Sequence, residues 1–157
     1  MSNLRFVCAL RHCEPDDQMT GLTKAGSAHA QWVAGHVAAM VASPALIFCA
    51  PKPCALKTAG FFEQLCVNSS GVQSLSHLSG EGFDKSSTLL EHFVHADFQS
   101  LIMVVNFQAP LEIIKAFAFD RRIKLQEPFL SRRGPMRFGH GFVLDLQEKS
   151  LVELPFA

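Results

Sequence analysis

Apolar runs of two different periods alternate along this chain. Leu4 to Leu10 is almost continuously apolar, as a strand buried on both faces would be, and it ends on Arg11-His12 and a turn carrying Pro15, Asp16 and Asp17. The period then lengthens. Ala25, Ala28, Trp32, Gly35, His36, Ala39 and Met40 fall at helical spacing, Thr23 is placed to cap the first turn, and Ser43-Pro44 ends the pattern. This predicts a helix from about Lys24 to Val41. Ala45 to Cys49 is a short strand-like run, and Pro53 suits the first turn of a second helix through Ala55, Ala59, Phe62 and Leu65 to about Val67.

Past a turn at Asn68 to Gly71, Val72 to Leu78 reads as a weak strand and Ser79 to Gly82 as a loop. Leu89, Leu90, Phe93 and Val94 mark a third helix ending near Asp97. Leu101 to Val105 is uncharged and β-branched, the pattern of a central parallel strand. Leu111, Ile114 and Phe117 lie on a fourth helix. Asp120 to Gly141 is irregular, with Pro128, Gly134, Pro135 and Gly139 as breakers, and Phe142 to Pro155 alternates and turns at Glu148-Lys149 as a hairpin does. Strands alternating with helices predict a three-layer α/β/α sandwich with a mostly parallel central sheet and a C-terminal β-hairpin, as one domain over residues 1–157.

Composition agrees and narrows the function. With 48% hydrophobic and 18% charged residues the chain is a folded protein with a generous core, not a disordered one. Phe61, Phe62, Phe93 and Phe117 sit on apolar helix faces and belong to that core. Formal net charge is zero, so nothing draws the whole chain to nucleic acid or to an anionic membrane. Seven of the 14 Lys and Arg residues (Lys115, Arg121, Arg122, Lys124, Arg132, Arg133 and Arg137) nevertheless fall in one late segment. Ala25 to Pro51 contains no Asp, Glu, Lys or Arg, but Gln31, His29, His36, two glycines and Pro44 make it a poor membrane span. The N-terminal apolar run is too short for a signal peptide. Cys8, Cys13, Cys49, Cys54 and Cys66 are odd in number and lack C-x-x-C spacing, which predicts reduced, buried thiols and a cytoplasmic location. The pairs His92/His95 and His29/His36 lack further ligands, so no metal or other cofactor is expected.

The chemistry begins at Arg11-His12. Ligands of open α/β sheets bind beyond the C-terminal ends of the strands, where this pair would be delivered. Arginine offers a planar fork for phosphate, and an imidazole beside it can act as nucleophile, base or donor. Two further pieces follow in order: Gly21-Leu22-Thr23-Lys24-Ala25-Gly26 opening one helix and Ala50-Pro51-Lys52-Pro53-Cys54-Ala55-Leu56-Lys57-Thr58-Ala59 opening the next. Together with Leu10-Arg11-His12 they resemble the histidine phosphatase superfamily, with its phosphoglycerate-mutase-like fold, and most of all its small phosphohistidine-phosphatase branch. The family pattern reads L-R-H-G, L-T-x-x-G and S-P-x-x-R-A-x-x-T-A; Leu22, Thr23, Gly26, Pro51, Ala55, Thr58 and Ala59 match it.

The resemblance implies that His12 is the nucleophile that takes a phosphoryl group, that Arg11 grips its oxygens, and that Glu81 or Asp84 is the acid for the leaving group. The rest of the implied pocket departs from the pattern. Cys54 stands for a second arginine, Asn106-Phe107 for a second histidine after the central strand, Cys13 for glycine and Ala50 for serine. Phosphoryl transfer relies on positioning and charge balance, and two lost charged donors at about 3 kcal/mol each would slow it by roughly four orders of magnitude. The expected protein is therefore a catalytically impaired histidine-phosphatase-fold protein whose remaining anion pocket, at Arg11, His12, Cys54, Asn106 and Phe107, binds a phosphorylated small molecule or phosphoprotein. Two alternatives stand beside it. One is an active, atypical phosphatase using His12, with Arg132, Arg133 or Arg137 folded over the pocket. The other is an interaction scaffold without a small-molecule site, its basic segment the contact surface. Neither nucleic acid nor membrane is an expected partner, and the oligomeric state is open.

Overall fold

Among the described residues, the apolar runs form the middle of a six-stranded sheet whose order is β3 (Val72–Ser74), β2 (Ala45–Cys49), β4 (Ser100–Val105), β1 (Phe6–Arg11), β5 (Gly141–Asp145) and β6 (Ser150–Glu153). The structure is a computed structural model that describes residues 3–66, 71–80, 97–127, 129–132 and 136–155. Strands β1 (Phe6–Arg11), β2 (Ala45–Cys49) and β4 (Ser100–Val105) lie adjacent and parallel, and every residue of β2 and β4 is buried. Uncharged, continuously apolar sequence is what such doubly covered strands require. β5 (Gly141–Asp145) joins the other side of β1 antiparallel, and β6 (Ser150–Glu153) pairs back on it, which is the expected hairpin.

Helix α1 (Lys24–Met40) packs on α2 (Pro53–Leu65), α2 lies against β2, β3 and β4, and α3 (Ala109–Asp120) packs on β1, β4 and β5. The result is the three-layer arrangement of a mostly parallel α/β sheet. Thr23 caps α1 as expected, its hydroxyl accepting from the Gly26 amide at 2.9 Å, and Pro53 opens α2.

Two expectations need correction. α1 forms where predicted, but its packed stripe is Gly26, Ala30, Val33, Ala34 and Val37, whereas Ala25, Ala28, Trp32, Gly35, His36 and Ala39 face solvent. With small apolar residues all round the helix, hydrophobic spacing does not select a face. Proximity does: a Cβ on Gly26 would lie 2.5 Å from the Glu14 carbonyl oxygen. Trp32 stays 45% exposed, edge-on to His36 with centroids 4.7 Å apart. The weak strand is also shorter than expected. β3 (Val72–Ser74) pairs parallel with β2 at the sheet edge, and Ser76–Leu78 is a single 3-10 turn. The predicted third helix, with Phe93, His92 and His95, lies outside the described residues, as do Glu81, Asp84 and Arg133.

All five cysteines are free and buried. Phe62 and Phe117 are core residues, with Phe61 packed partly buried against them. Among the described residues no helix is long and apolar enough to cross a membrane; the uncharged stretch divides into α1 and β2.

Candidate functional site

Parallel pairing brings β1, β2 and β4 to a common C-terminal edge, and the chemistry-bearing residues gather there. Register places Arg11 beside Val105 at the last rung. The chain then continues as His12, whose amide donates to the Val105 carbonyl at 3.0 Å. His12 is 5% exposed. Its Nδ1 lies 2.9 Å from the Cys13 carbonyl oxygen. A carbonyl only accepts, so Nδ1 carries the proton, and in the neutral ring Nε2 holds the free lone pair. Burial pushes the His12 pKa below its ordinary value of 6.5; the Cys13 carbonyl opposes this, and the like charges of Arg11 and Lys52 add to it. The neutral, lone-pair-bearing form therefore dominates at pH 7.

The turn after His12 is held by Thr58, which is fully buried on α2. Its hydroxyl accepts from the Cys13 amide at 3.1 Å and donates to the Cys54 carbonyl at 2.8 Å. This brings the backbones of Cys13 and Cys54 to the same corner. Burial raises the Cys13 thiol to about 12 and raises that of Cys54 also, so both are neutral at pH 7.

Arg11 is held from several sides. Its Nη1 donates to the Met136 carbonyl, and its guanidinium lies 5.0 Å from the centroid of Phe107 and 4.2 Å from that of Phe138. Nε is buried and has no hydrogen-bond partner among the described residues. An unpaired buried N–H costs about 1–3 kcal/mol, so the atom marks where an acceptor would be favoured. Phe107 reaches this position through a backbone at φ +44°, in the left-handed region that bulky residues avoid, with its carbonyl accepting from the Met136 amide at 3.3 Å.

Asn106 is turned elsewhere. Its Nδ2 faces the carbonyls of Leu78, Ser79 and Gly80 at 3.3 to 3.5 Å, and its Oδ1 is buried without a partner among the described residues. Of the residues expected to line the pocket, the structure thus brings together Arg11, His12, Cys54 and Phe107, and points Asn106 at a neighbouring loop. Arg132 is committed to Glu153 at 2.8 Å, and the same carboxylate lies 2.6 Å from His140 Nε2. A separate cavity of about 310 Å³ lies along the hairpin between Lys124, Phe129 and Lys149. Among the described residues that line it, no titratable group is buried, and the chemistry points to Arg11-His12 instead.

Three participants were not anticipated. Lys52, at the start of α2, contributes positive charge to both His12 and Cys54. Phe138 lies 5.7 Å from the His12 ring, centroid to centroid, as well as over Arg11. Gly139, at φ +72°, donates its amide to the carbonyls of Arg11 and His12, and a Cβ there would lie 2.5 Å from His29 Cε1. Gly139 was visible in the sequence only as a breaker in an irregular segment.

No protein-family model matches this chain, and neither does any curated protein sequence. Solved structures do match it. The putative phosphohistidine phosphatase SixA from Agrobacterium tumefaciens superposes with a TM-score of 0.62 at 18% identity, covering 98% of this chain and 97% of that one. The putative SixA from Nakamurella multipartitia gives 0.64 at 15%, covering 98% and 93%. A mycobacterial glucosyl-3-phosphoglycerate phosphatase, solved with inorganic phosphate, gives 0.62 at 14%, covering 97% and 96%. The chain has the phosphoglycerate-mutase-like fold of the histidine phosphatases, over essentially its whole length.

Proposed function

We propose that this protein is a catalytically impaired member of the histidine-phosphatase fold that keeps a partial anion pocket at Arg11-His12 and binds a phosphorylated small molecule or a phosphoprotein. The observation that carries the reading is the buried Nε–H of Arg11, without a partner among the described residues, beside a buried, neutral His12. Around them, a neutral Cys54 thiol and the Phe107 ring stand where the resemblance implies charged or proton-transferring groups. Of the similar structures, the mycobacterial phosphatase holds phosphate and a SixA holds tungstate, which supports an oxyanion as the ligand class. Calorimetry with inorganic phosphate and vanadate tests this: binding abolished by Arg11→Ala supports it. Hydrolysis of p-nitrophenyl phosphate at ordinary enzymatic rates, lost on His12→Ala, overturns the impairment.

A residual phosphatase is the second reading, favoured by the His12 tautomer and by Lys52. In this reading His12 Nε2 attacks phosphorus, the bond to the leaving oxygen breaks as an acid such as Glu81 protonates it, and water later cleaves the phosphoimidazole. Lys52 supplies part of the charge that Cys54 does not. Acid-labile phosphate trapped on His12 supports this second reading; its absence after long incubation with substrate removes it.

A further inference from the structure

Phe138 touches both halves of the anion pair. Its ring lies 4.2 Å from the Arg11 guanidinium carbon and 5.7 Å from the His12 ring, while 37% of its surface stays exposed. An oxyanion that accepts from the buried Nε–H of Arg11 must come within reach of the guanidinium, and this ring packs against both that group and His12. The backbone fixes the ring there. On one side the Met136 amide donates to Phe107; on the other the Gly139 amide donates to Arg11 and His12, through a left-handed conformation suited to glycine. The segment carrying Phe138 is therefore stapled to the pocket at both ends, and only its side chain is left to move.

We propose that Phe138 is a tethered stopper, a side chain that competes with the anion for the Arg11-His12 pocket and sets access to it. The inference rests on reading that pair as an anion site, and adds how the site is controlled. With the ring in place, the Arg11 guanidinium has its aromatic contact and the Met136 carbonyl at Nη1, but Nε keeps no partner among the described residues. An incoming anion offers the guanidinium a stronger, charge-assisted partner and displaces the ring into solvent by side-chain rotation. Apparent affinity is then the intrinsic affinity multiplied by the fraction of molecules with the ring out. The site thus favours ligands able to repay the displacement, namely a doubly charged phosphate monoester over a singly charged carboxylate or chloride.

Calorimetric titration of the full chain with vanadate and with inorganic phosphate tests the stopper. Phe138→Ala is expected to bind both about tenfold more tightly than wild type, equivalent to ~1.4 kcal/mol. Phe138→Leu, which keeps apolar bulk but loses the π-face, should fall between them. Phe119→Ala, at a position 88% exposed on α3, should bind as wild type does. Thermal melts of each variant confirm folding. Wild-type binding that Phe138→Ala leaves unchanged or weakens overturns the stopper alone, because the ring is then a wall of the site. Absence of binding in wild type and in both Phe138 variants overturns the anion-site reading and the stopper together.

Discussion

Thr58→Val isolates the hydroxyl that ties the His12 turn to α2. Valine keeps the shape of the side chain at a fully buried position and exchanges the hydroxyl for a methyl group. Of the two groups Thr58 bonds, the Cys54 carbonyl lies inside a helix and retains its helical partner, whereas the Cys13 amide, 3.1 Å from the hydroxyl, is left stranded on a fully buried residue. Stranding a buried N–H costs about 1–3 kcal/mol, taken here as ~2. Unfolding entropy near the midpoint is about 2.1 cal/mol/K per residue, or roughly 330 cal/mol/K for the chain, so ~2 kcal/mol lowers Tm by about 6 °C. Thr58→Ser provides the converse: it keeps the hydroxyl, loses one buried methyl worth about 1 kcal/mol, and should lower Tm by about 3 °C. Circular dichroism melts, with urea titrations to confirm unchanged m-values, measure both. The order is the critical result. If the valine variant melts at or above the serine variant, the hydroxyl does not hold the turn and the site's organisation must be sought elsewhere.

Burial lowers the pKa of His12, His29 and His140 below the ordinary 6.5, so as pH falls the unfolded chain takes up protons first. Stability should be full above pH 6.5 and decline as pH drops below it, read as a falling urea midpoint; His12→Gln should flatten that decline, and an unchanged midpoint between pH 7.5 and 5 would refute it. Gly141→Ala should cost about 3 kcal/mol, since a Cβ there would lie 2.4 Å from the Ala9 carbonyl oxygen and from Leu10 Cβ, forcing β5 away from β1; an unaltered melt would count against the register. Glu153→Gln weakens the contacts with Arg132 and His140, but at 44% exposure the carboxylate is well solvated and the loss should be about 1 kcal/mol or less. The His140 imidazole should then titrate lower still, as followed by proton NMR, because the carboxylate now holds its pKa up against burial.

The scaffold was legible wherever one physical demand dominated a segment. Leu101 to Val105 had to be a central strand because only a doubly covered strand makes continuous use of uncharged, β-branched side chains, and Thr23 and Pro53 are residues whose chemistry suits a helix start. α1 shows where such reasoning stops. Its helical period was clear, but Ala, Gly and Val on every side left the packed face to be decided by how closely the Glu14 backbone approaches Gly26, a tertiary distance with no trace in hydrophobic spacing.

The site divides along the same line. Arg11 and His12 sit at a strand end and Thr58 near the start of a helix, so each is placed by its own local element, and the sheet brings the two elements together. Phe138 and Gly139 come from the irregular basic segment, and they reach the pocket through backbone bonds to Phe107, Arg11 and His12. The basic character of that segment makes its arginines the sequence's candidates to replace lost charge. Yet Arg132 is taken by Glu153, and the side chain set against Arg11 is an aromatic ring. Under the proposed binding function, the guanidinium beside the Phe107 and Phe138 rings keeps its charge available to an incoming anion.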